Sequence, residues 1–247
     1  MYTLNNRNIY KPSCSDLFMK TINLIKILQD YPLFKENDIA KIMNKNPDYI
    51  KTLLYRLNER GVIHRIERGK YTCYDDILLF ASYIYVPSYI GLWTAIRYYN
   101  LTEQLPKTIF VMVPKSRKSL KFNGISIEFV KTKYFFGFKK ERYRDFDIFI
   151  AEPEKTLIDS LISRKIPLDE IEKIIKTKQF NIKKLLDYAV KIRNKSLIKR
   201  LGFILEENNI KSERLKKFID ANYIILDLML GKQGKKNKKW MVIDNRK

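Results

Sequence analysis

The chain has 247 residues, of which 45% are hydrophobic and 13% aromatic. This apolar content can form a substantial core and excludes a wholly disordered protein, and the length suggests two domains. The net charge of +22, from 49 basic and 27 acidic residues, favours an anionic partner, either nucleic acid or an acidic membrane face. A well-solvated, lysine-rich surface is the alternative explanation of the charge.

The positive charge is spread along the chain. Residues 1–75 carry a net charge of +5, residues 76–152 also +5, and residues 153–247 the remaining +12. Charge alone therefore does not locate a binding domain.

The cysteines and the start of the chain indicate the compartment. Cys14 and Cys73 have neither metal-site spacing nor a disulfide framework, which fits a reducing cytosol. The start, at residues 5–8, is polar and lacks the apolar stretch of a signal peptide. No run approaches the roughly 18–20 apolar residues of a membrane span. We expect a soluble, cytoplasmic protein without a membrane partner.

The first 78 residues contain the pattern of a winged helix-turn-helix. A helix from Leu17 to about residue 28 is followed by a short helix at 36–43, a turn, and a longer helix at 47–60 that stops at Gly61. Two strands follow, at 62–66 and 71–74, joined by a turn at 67–70. Helix, short helix, longer helix and hairpin in this order predict a winged helix-turn-helix over residues 1–78.

The third helix has two faces. Ile50, Leu53, Leu54 and Leu57 fall on one side and are expected to pack on the first two helices. The opposite side and the hairpin can reach base edges and phosphates. The predicted DNA-binding residues are Asn46, Asp48, Lys51, Thr52, Tyr55, Arg56, Arg65, Arg68 and Lys70. A winged helix used for protein contact is the alternative.

Residues 79–247 are predicted to form a second, mixed α/β domain. A helical region at 76–100, interrupted at Pro87, precedes strand-like runs at 108–113, 125–130 and 146–150. Helical stretches follow from Pro153, at 168–177, 181–192, 195–208 and 212–230, before a lysine-rich tail. The fold class is α+β: an N-terminal winged helix-turn-helix, then a mixed α/β domain with a helical C-terminal part and a basic tail.

Two segments of the second domain resemble a known family. Residues 88–96 read SYIGLWTAI and are followed by LTEQLP at 101–106, and residues 151–159 read AEPEKTLID. Behind an N-terminal winged helix, these segments resemble the AbiEi family of abortive-infection antitoxins, whose motifs are YxGLxTA…LTEQxP and A(D/E)PEKTLxD. Glu152 departs from the aspartate that is usual there.

The resemblance implies the antitoxin of a type IV toxin–antitoxin system with a role in antiviral defence. Such an antitoxin is expected to repress its own operon by binding inverted repeats in the promoter. It would also counteract a nucleotidyltransferase-type toxin without forming a stable complex with it. The oligomeric state is left open.

Further basic residues lie in the second domain. Possible auxiliary phosphate contacts are Lys115, Arg117, Lys118, Lys139 and Lys140. As an alternative function, this basic domain would be an RNA-binding module, and solvated loops are the simplest explanation of its charge.

A metal-dependent nuclease is the other alternative. Asp145, Asp147, Glu152 and Glu154 flank a predicted strand. However, Glu154 and Lys155 are adjacent and enter a helix, so the expected Glu-x-Lys pattern on a following strand is absent. The sole histidine, His64, has no second histidine with which to share a metal. We expect no catalytic residue, metal or cofactor.

Overall fold

The computed structural model describes residues 14–246, with side chains from Thr21 onwards. The Leu17 side chain and the polar start at residues 5–8 lie outside what the structure describes. The protein is a mixed α+β structure of N-terminal helices with a small antiparallel sheet, a central six-stranded mixed sheet and a helical C-terminal region. The prediction divides the domains after residue 78, whereas the two compact units divide between Asp75 and Asp76.

The first unit contains helices and a three-stranded sheet. Its described elements are α1 (Cys14–Gln29), β1 (Phe34–Lys35), α2 (Glu36–Met43), α3 (Pro47–Glu59), β2 (His64–Glu67) and β3 (Lys70–Thr72). Strand β3 lies in the middle of the sheet and is antiparallel to both β1 and β2. The sequence predicts these three helices and the β2–β3 hairpin, but not β1.

A single apolar cluster holds the first unit together. Leu28 of α1, Ile39 of α2 and Leu54 of α3 are fully buried in it. At the start of α3, the Asn46 side chain accepts a hydrogen bond from the Tyr49 N–H (2.8 Å) and Pro47 takes the first helical position. This cap and the buried side of α3 leave the opposite side of the helix exposed.

The second unit is larger and contains the remaining elements. Its described helices are α4 (Ile77–Phe80), α5 (Leu92–Tyr98), α6 (Pro153–Ser163), α7 (Leu168–Thr177), α8 (Ile182–Ile192) and α9 (Lys195–Glu207). Its described strands are β4 (Tyr89–Ile90), β5 (Thr108–Val113), β6 (Leu120–Phe122), β7 (Ile125–Lys131), β8 (Phe138–Tyr143), β9 (Phe146–Ala151), β10 (Ile224–Ile225), β11 (Lys235–Asn237) and β12 (Val242–Asp244).

The central sheet is mixed, with the strand order β6-β7-β5-β4-β9-β8. Strands β5 and β7 pair in parallel, with Val111 opposite Phe129. The short strand β4 is antiparallel to β5 and parallel to β9. Antiparallel strands β6 and β8 form the two edges. The three β-rich runs of the sequence are therefore inner strands, while the edge strands were not predicted.

Helix α6 is the centre of the helical region. It packs against α5, α8 and α9, and its Leu157 and Ile158 are fully buried. Its buried residues also include polar and charged ones, so both apolar packing and hydrogen bonds hold α6 away from water. Among the helices of residues 14–246, none has both the length and the apolarity needed to cross a membrane.

The prediction of a helical region at 76–100 is wrong in its middle. Only Ile77–Phe80 and Leu92–Tyr98 are α-helical, and β4 lies between them. Tyr89 and Ile90 are fully buried and pair with strands on both sides. A short apolar run fits a buried strand as well as a buried helix, and here tertiary pairing decides for the strand.

The predicted helix at 212–230 is also wrong. Glu213–Phe218 is a 3₁₀ helix and the chain then extends into β10. Lys199 Nζ donates to the Asn222 carbonyl oxygen (2.5 Å), and Arg200 Nε donates to the carbonyl oxygens of Ile225 (3.0 Å) and Leu226 (3.1 Å). These side chains bind carbonyl groups that a continuous helix would use for itself.

The basic tail is folded. Strands β11 and β12 form a small sheet with β10, in which β12 is central. Trp240 is completely buried, and its Nε1–H donates to Glu206 Oε2 (2.6 Å). A Cβ atom on Gly202 of α9 would lie 2.1 Å from the Trp240 ring, so this helix accepts the ring only because residue 202 has no side chain.

Candidate nucleic-acid interface

Helix α3 presents a polar, aromatic surface to solvent. Asp48, Lys51, Thr52, Tyr55 and Arg56 are all exposed, and Tyr55 is 65% exposed. Exposing that much of an apolar ring to water is energetically unfavourable. An exposed tyrosine on a helix surface is therefore available for contact with a partner. This surface is the one that the helical periodicity predicts.

Some predicted contact residues already have partners within the helix. The Asn46 oxygen caps α3, so only its amide group is free to donate. Lys51 Nζ lies 3.5 Å from the Asp48 carboxylate, and Thr52 Oγ1 donates to the Asp48 carbonyl oxygen (3.0 Å). Asn46 thus acts first as a helix cap, and the charge of Lys51 is partly offset.

The hairpin contributes two arginines and one paired lysine. Arg65 and Arg68 are exposed, whereas Lys70 Nζ lies 2.9 Å from the Glu67 carboxylate. The Arg65 N–H donates to Asn58 Oδ1 (2.9 Å), which attaches β2 to the last turns of α3. Lys70 therefore contributes less positive charge than its position in the sequence suggests.

Three arginines of the first unit carry uncompensated charge. Within the described part of the chain, Arg56, Arg65 and Arg68 form no ion pair. We call these three residues the arginine face. Five guanidinium N–H groups on each arginine can serve phosphate oxygens or the acceptor edge of guanine.

Two basic residues beside α3 were missed by the sequence reasoning. Lys45 is exposed next to the N-terminal cap, with Nζ 6.0 Å from the Tyr49 ring centroid. Arg60 is exposed at the C-terminal cap. The prediction counted the exposed side of the helix, the cap residue Asn46 and the hairpin, and it left out these two positions at the ends of α3.

The predicted auxiliary contacts in the second unit divide into two groups. Lys139 pairs with Glu141, and Lys140 Nζ lies 2.7 Å from Asp147. The Arg117 guanidinium packs 4.7 Å from the Phe129 ring centroid and donates to a backbone carbonyl. Lys115 and Lys118 are exposed and, among the residues described, have no ion pair.

The acidic residues around β9 do not converge. Asp147 bonds Lys140, which holds the pKa of the Asp147 carboxyl below its ordinary value. Glu152 accepts hydrogen bonds from Lys184 (2.6 Å) and from Tyr188. Glu154 Oε1 accepts from the Asn181 N–H (2.6 Å). These two glutamates, at the start of α6, thus connect it to α8 and its N-terminal cap.

The groups that could ligate a metal are separate from one another. His64 Nε2 lies 3.2 Å from Asp75 Oδ1, and burial raises the pKa of the Cys73 thiol to about 11. Among the side chains described, from Thr21 to residue 246, no three His, Cys, Asp or Glu are placed to hold a metal ion.

A buried polar cluster lies between the sheet and α6. Lys155 Nζ bonds Asp159 and donates to the Tyr89 hydroxyl (2.8 Å), which in turn donates to Asp159 Oδ2 (2.9 Å). Lys155 is 0% exposed and Asp159 2%. Burial lowers the pKa of Lys155 and raises that of Asp159. The cluster has no access to a substrate and connects β4 to α6.

No protein-family model matches the chain. A comparison with curated proteins likewise finds no relative.

Proposed function

We propose that the protein is a sequence-specific DNA-binding transcriptional regulator whose first unit is a winged helix-turn-helix. In this proposal α2 and α3 are the helix-turn-helix, α3 is the recognition helix, and β2–β3 is the wing. A recognition helix of this kind enters the major groove and its exposed side chains contact base edges, while a wing reaches phosphates or the minor groove.

The arginine face is the observation that carries the proposal. Arg56 lies on the exposed side of α3, and Arg65 and Arg68 lie on the hairpin attached to the end of that helix. Exposed guanidinium groups without an acidic partner gain the most binding free energy when they pair with backbone phosphates. Thr52 and Tyr55 add hydroxyl groups on the same helix, which supports base or phosphate contact rather than charge attraction alone.

We further propose that the regulator is the antitoxin of a type IV toxin–antitoxin system. Residues 88–106 and 151–159 support this role through their resemblance to the AbiEi motifs. In this role the protein represses its own operon and opposes a nucleotidyltransferase-type toxin. Coexpression with the product of a neighbouring nucleotidyltransferase gene tests the second part: growth should be restored by the full chain and not by an empty vector.

The DNA-binding proposal is tested by a competition gel shift with the full chain. Labelled duplex from the protein's own promoter is challenged with unlabelled promoter duplex and with a scrambled duplex of equal length. The promoter should compete at much lower concentration than the scrambled duplex. The Arg56→Ala variant should lose about 1–3 kcal/mol of promoter affinity and discriminate less between the two competitors.

The matched control is Arg142→Ala, an exposed arginine of the second unit that lies 3.8 Å from Asp147. It removes the same side chain and the same charge but should leave both competition curves unchanged. Equal competition by promoter and scrambled duplex would contradict a specific regulator. An Arg142→Ala loss as large as that of Arg56→Ala would contradict the assignment to α3.

Lys115 and Lys118 support the second candidate, an RNA-binding module. Both are exposed without ion pairs near the β5–β6 connection. If RNA is the partner, Lys115→Ala/Lys118→Ala should weaken binding to single-stranded RNA, while Arg56→Ala leaves that binding unchanged. If promoter DNA is the partner, Arg56→Ala should weaken binding to promoter duplex and the double lysine variant should leave that binding unchanged, which supports the DNA-binding regulator.

A further inference from the structure

A cleft in the second unit brings together two arginines without a carboxylate. It measures about 230 Å³ and is lined by Arg164, at the end of α6, and by Arg200 of α9. Its other polar lining residues are Asn194 and Ser196, at the start of α9. None of the described residues that line this cleft is acidic.

Arg200 is anchored at one end of its guanidinium group and free at the other. The residue is 9% exposed, and its Nε–H donates to the carbonyl oxygens of Ile225 (3.0 Å) and Leu226 (3.1 Å). Within residues 14–246 its terminal nitrogens have no hydrogen-bond partner, and no buried side-chain nitrogen or oxygen lacks one. The terminal nitrogens are therefore accessible at the surface of the cleft and the adjoining recess, both of which Arg200 lines, and the anchored Nε holds them in place.

Arg164 adds a second cation that the fold does not use. Its backbone is left-handed, with φ 59°, and its side chain is exposed, without a hydrogen bond or ion pair to the described residues. Burial and the nearby Arg164 lower the pKa of Arg200 to about 10. Asp227 lines the adjoining recess but lies beyond ion-pair distance of both arginines. Arg164 therefore repels Arg200, and the Asp227 carboxylate offsets this repulsion only in part.

The start of α9 strengthens the attraction for an anion. Asn194 caps this 13-residue helix by accepting from the Leu197 N–H (3.1 Å), and the N–H groups of Lys195 and Ser196 have no helical partner. The N-terminal end of a helix carries partial positive charge. Each guanidinium fork can bind a phosphate bidentately, and two positive charges beside a helix N-terminus attract a dianion more strongly than a monoanion.

We propose that this cleft binds a phosphate group, either as the free ion or on a small phosphomonoester. The site lies within the second unit and does not depend on the DNA-binding proposal. Arg200 is the fixed, preoriented donor, Arg164 closes on the anion from the solvent side, and the Ser196 end of α9 completes the cradle.

Isothermal titration calorimetry of the full chain tests the site at constant ionic strength. The probes are inorganic phosphate, adenosine monophosphate and, as a phosphate-free control, adenosine. We expect saturable binding of phosphate or adenosine monophosphate and none of adenosine. Tighter binding of the free ion identifies phosphate as the ligand, and tighter binding of the nucleotide identifies a phosphomonoester; either result supports the site.

Arg164→Gln is the decisive variant because the fold does not use this side chain, whereas Arg200→Gln would also break two backbone contacts. Arg164→Gln should weaken binding of the phosphate probe at least about tenfold. The matched control is Arg193→Gln, an exposed arginine that also ends a helix with left-handed backbone, φ 53°, but does not line the cleft. The Arg193→Gln variant should bind the phosphate probe as tightly as the parent protein does, and so should the Arg56→Ala variant. Absence of saturable binding to both phosphate probes would overturn the proposal, as would equal weakening by Arg193→Gln.

Discussion

The two units of the protein use positive charge in different ways. In the second unit, lysines are repeatedly held by carboxylates: Lys140 by Asp147, Lys184 by Glu152 and Lys199 by Asp220. In the first unit, the arginine face has no such partners among the described residues. Yet residues 1–75 carry a net charge of only +5, whereas residues 153–247 alone carry +12.

This difference teaches that net charge is a poor guide to a nucleic-acid surface. A basic side chain that already bonds a carboxylate must lose that bond, or share it, before it can neutralise a phosphate. An unpaired arginine incurs no such cost. The unpaired arginines of the first unit are therefore more available for DNA binding than the paired lysines of the second, although Lys115, Lys118 and the cleft arginines of the second unit are also unpaired among the described residues.

The largest expected effect concerns the most deeply buried charge of the second unit. In Lys155→Met, Asp159 stays buried without its partner, and removing one member of a buried ion pair costs about 3–5 kcal/mol of unfolding free energy. Burial holds the pKa of Asp159 above its ordinary value, and loss of Lys155 raises it further. A group with a raised folded pKa stabilises the fold at low pH and loses this effect as pH rises. Urea unfolding should therefore show the largest deficit near neutral pH and a smaller deficit in acid.

Lys165→Met is the matched control for this prediction. Lys165 Nζ lies 2.6 Å from Glu128, but both side chains are substantially exposed, and a surface pair of this kind contributes about 0–1 kcal/mol. If Lys155→Met were no more costly than Lys165→Met, the second unit would not depend on its buried charge as we describe.

The next effect tests whether the lysine-rich end of the chain belongs to the folded second unit. Gly202→Ala would place a Cβ 2.1 Å from the buried Trp240 ring, and such overpacking costs about 1–3 kcal/mol. Tryptophan fluorescence during urea unfolding follows the change directly, since Trp240 loses its buried environment.

Gly231→Ala provides the comparison, because an added Cβ there has no neighbouring atom within 4 Å. Its unfolding free energy should stay close to that of the parent. Equal stability of the Gly202→Ala variant would mean that the Trp240 ring does not pack on α9 and that the end of the chain is not part of the core.

The sequence predicts the fold best where contacts are local. Helices α2 and α3 follow from apolar spacing, and the Asn46 cap and Pro47 define where α3 begins. The errors lie where distant residues decide the local structure. Strand β4 exists because β5 and β9 pair with it, and Trp240 is buried only because Gly202 makes room for it. Periodicity carries no information about such partners.

The candidate interface was predictable in position but not in charge. Exposure of Lys51, Thr52, Tyr55 and Arg56 follows from the helical period. The pairing of Lys70 with Glu67 was not recognised, although the two residues lie close together in the hairpin turn. Lys139 pairs with Glu141 along edge strand β8, and Lys140 pairs with Asp147 of β9, so both pairings depend on a strand that the sequence does not reveal.

The smallest effect separates the two kinds of basic residue most directly. Arg65→Ala should weaken binding to promoter duplex several-fold at low salt, a change of about 1 kcal/mol. If Arg65 contacts a phosphate, the slope of log Kobs against log salt concentration should become less steep by about 0.9, because one fewer counterion is released.

Lys140→Ala removes a charge that is also exposed but is bonded to Asp147, and it should change neither the affinity nor the slope. Its effect on the salt slope isolates the role of pairing, since both substitutions lower the net charge by one and both residues lie on exposed strand positions. A Lys140→Ala slope change equal to that of Arg65→Ala would mean that DNA responds to total charge, and the comparison between the two units would fail. A change confined to Arg65→Ala would mean that the unpaired arginines, and not the overall excess of +22, determine where DNA binds.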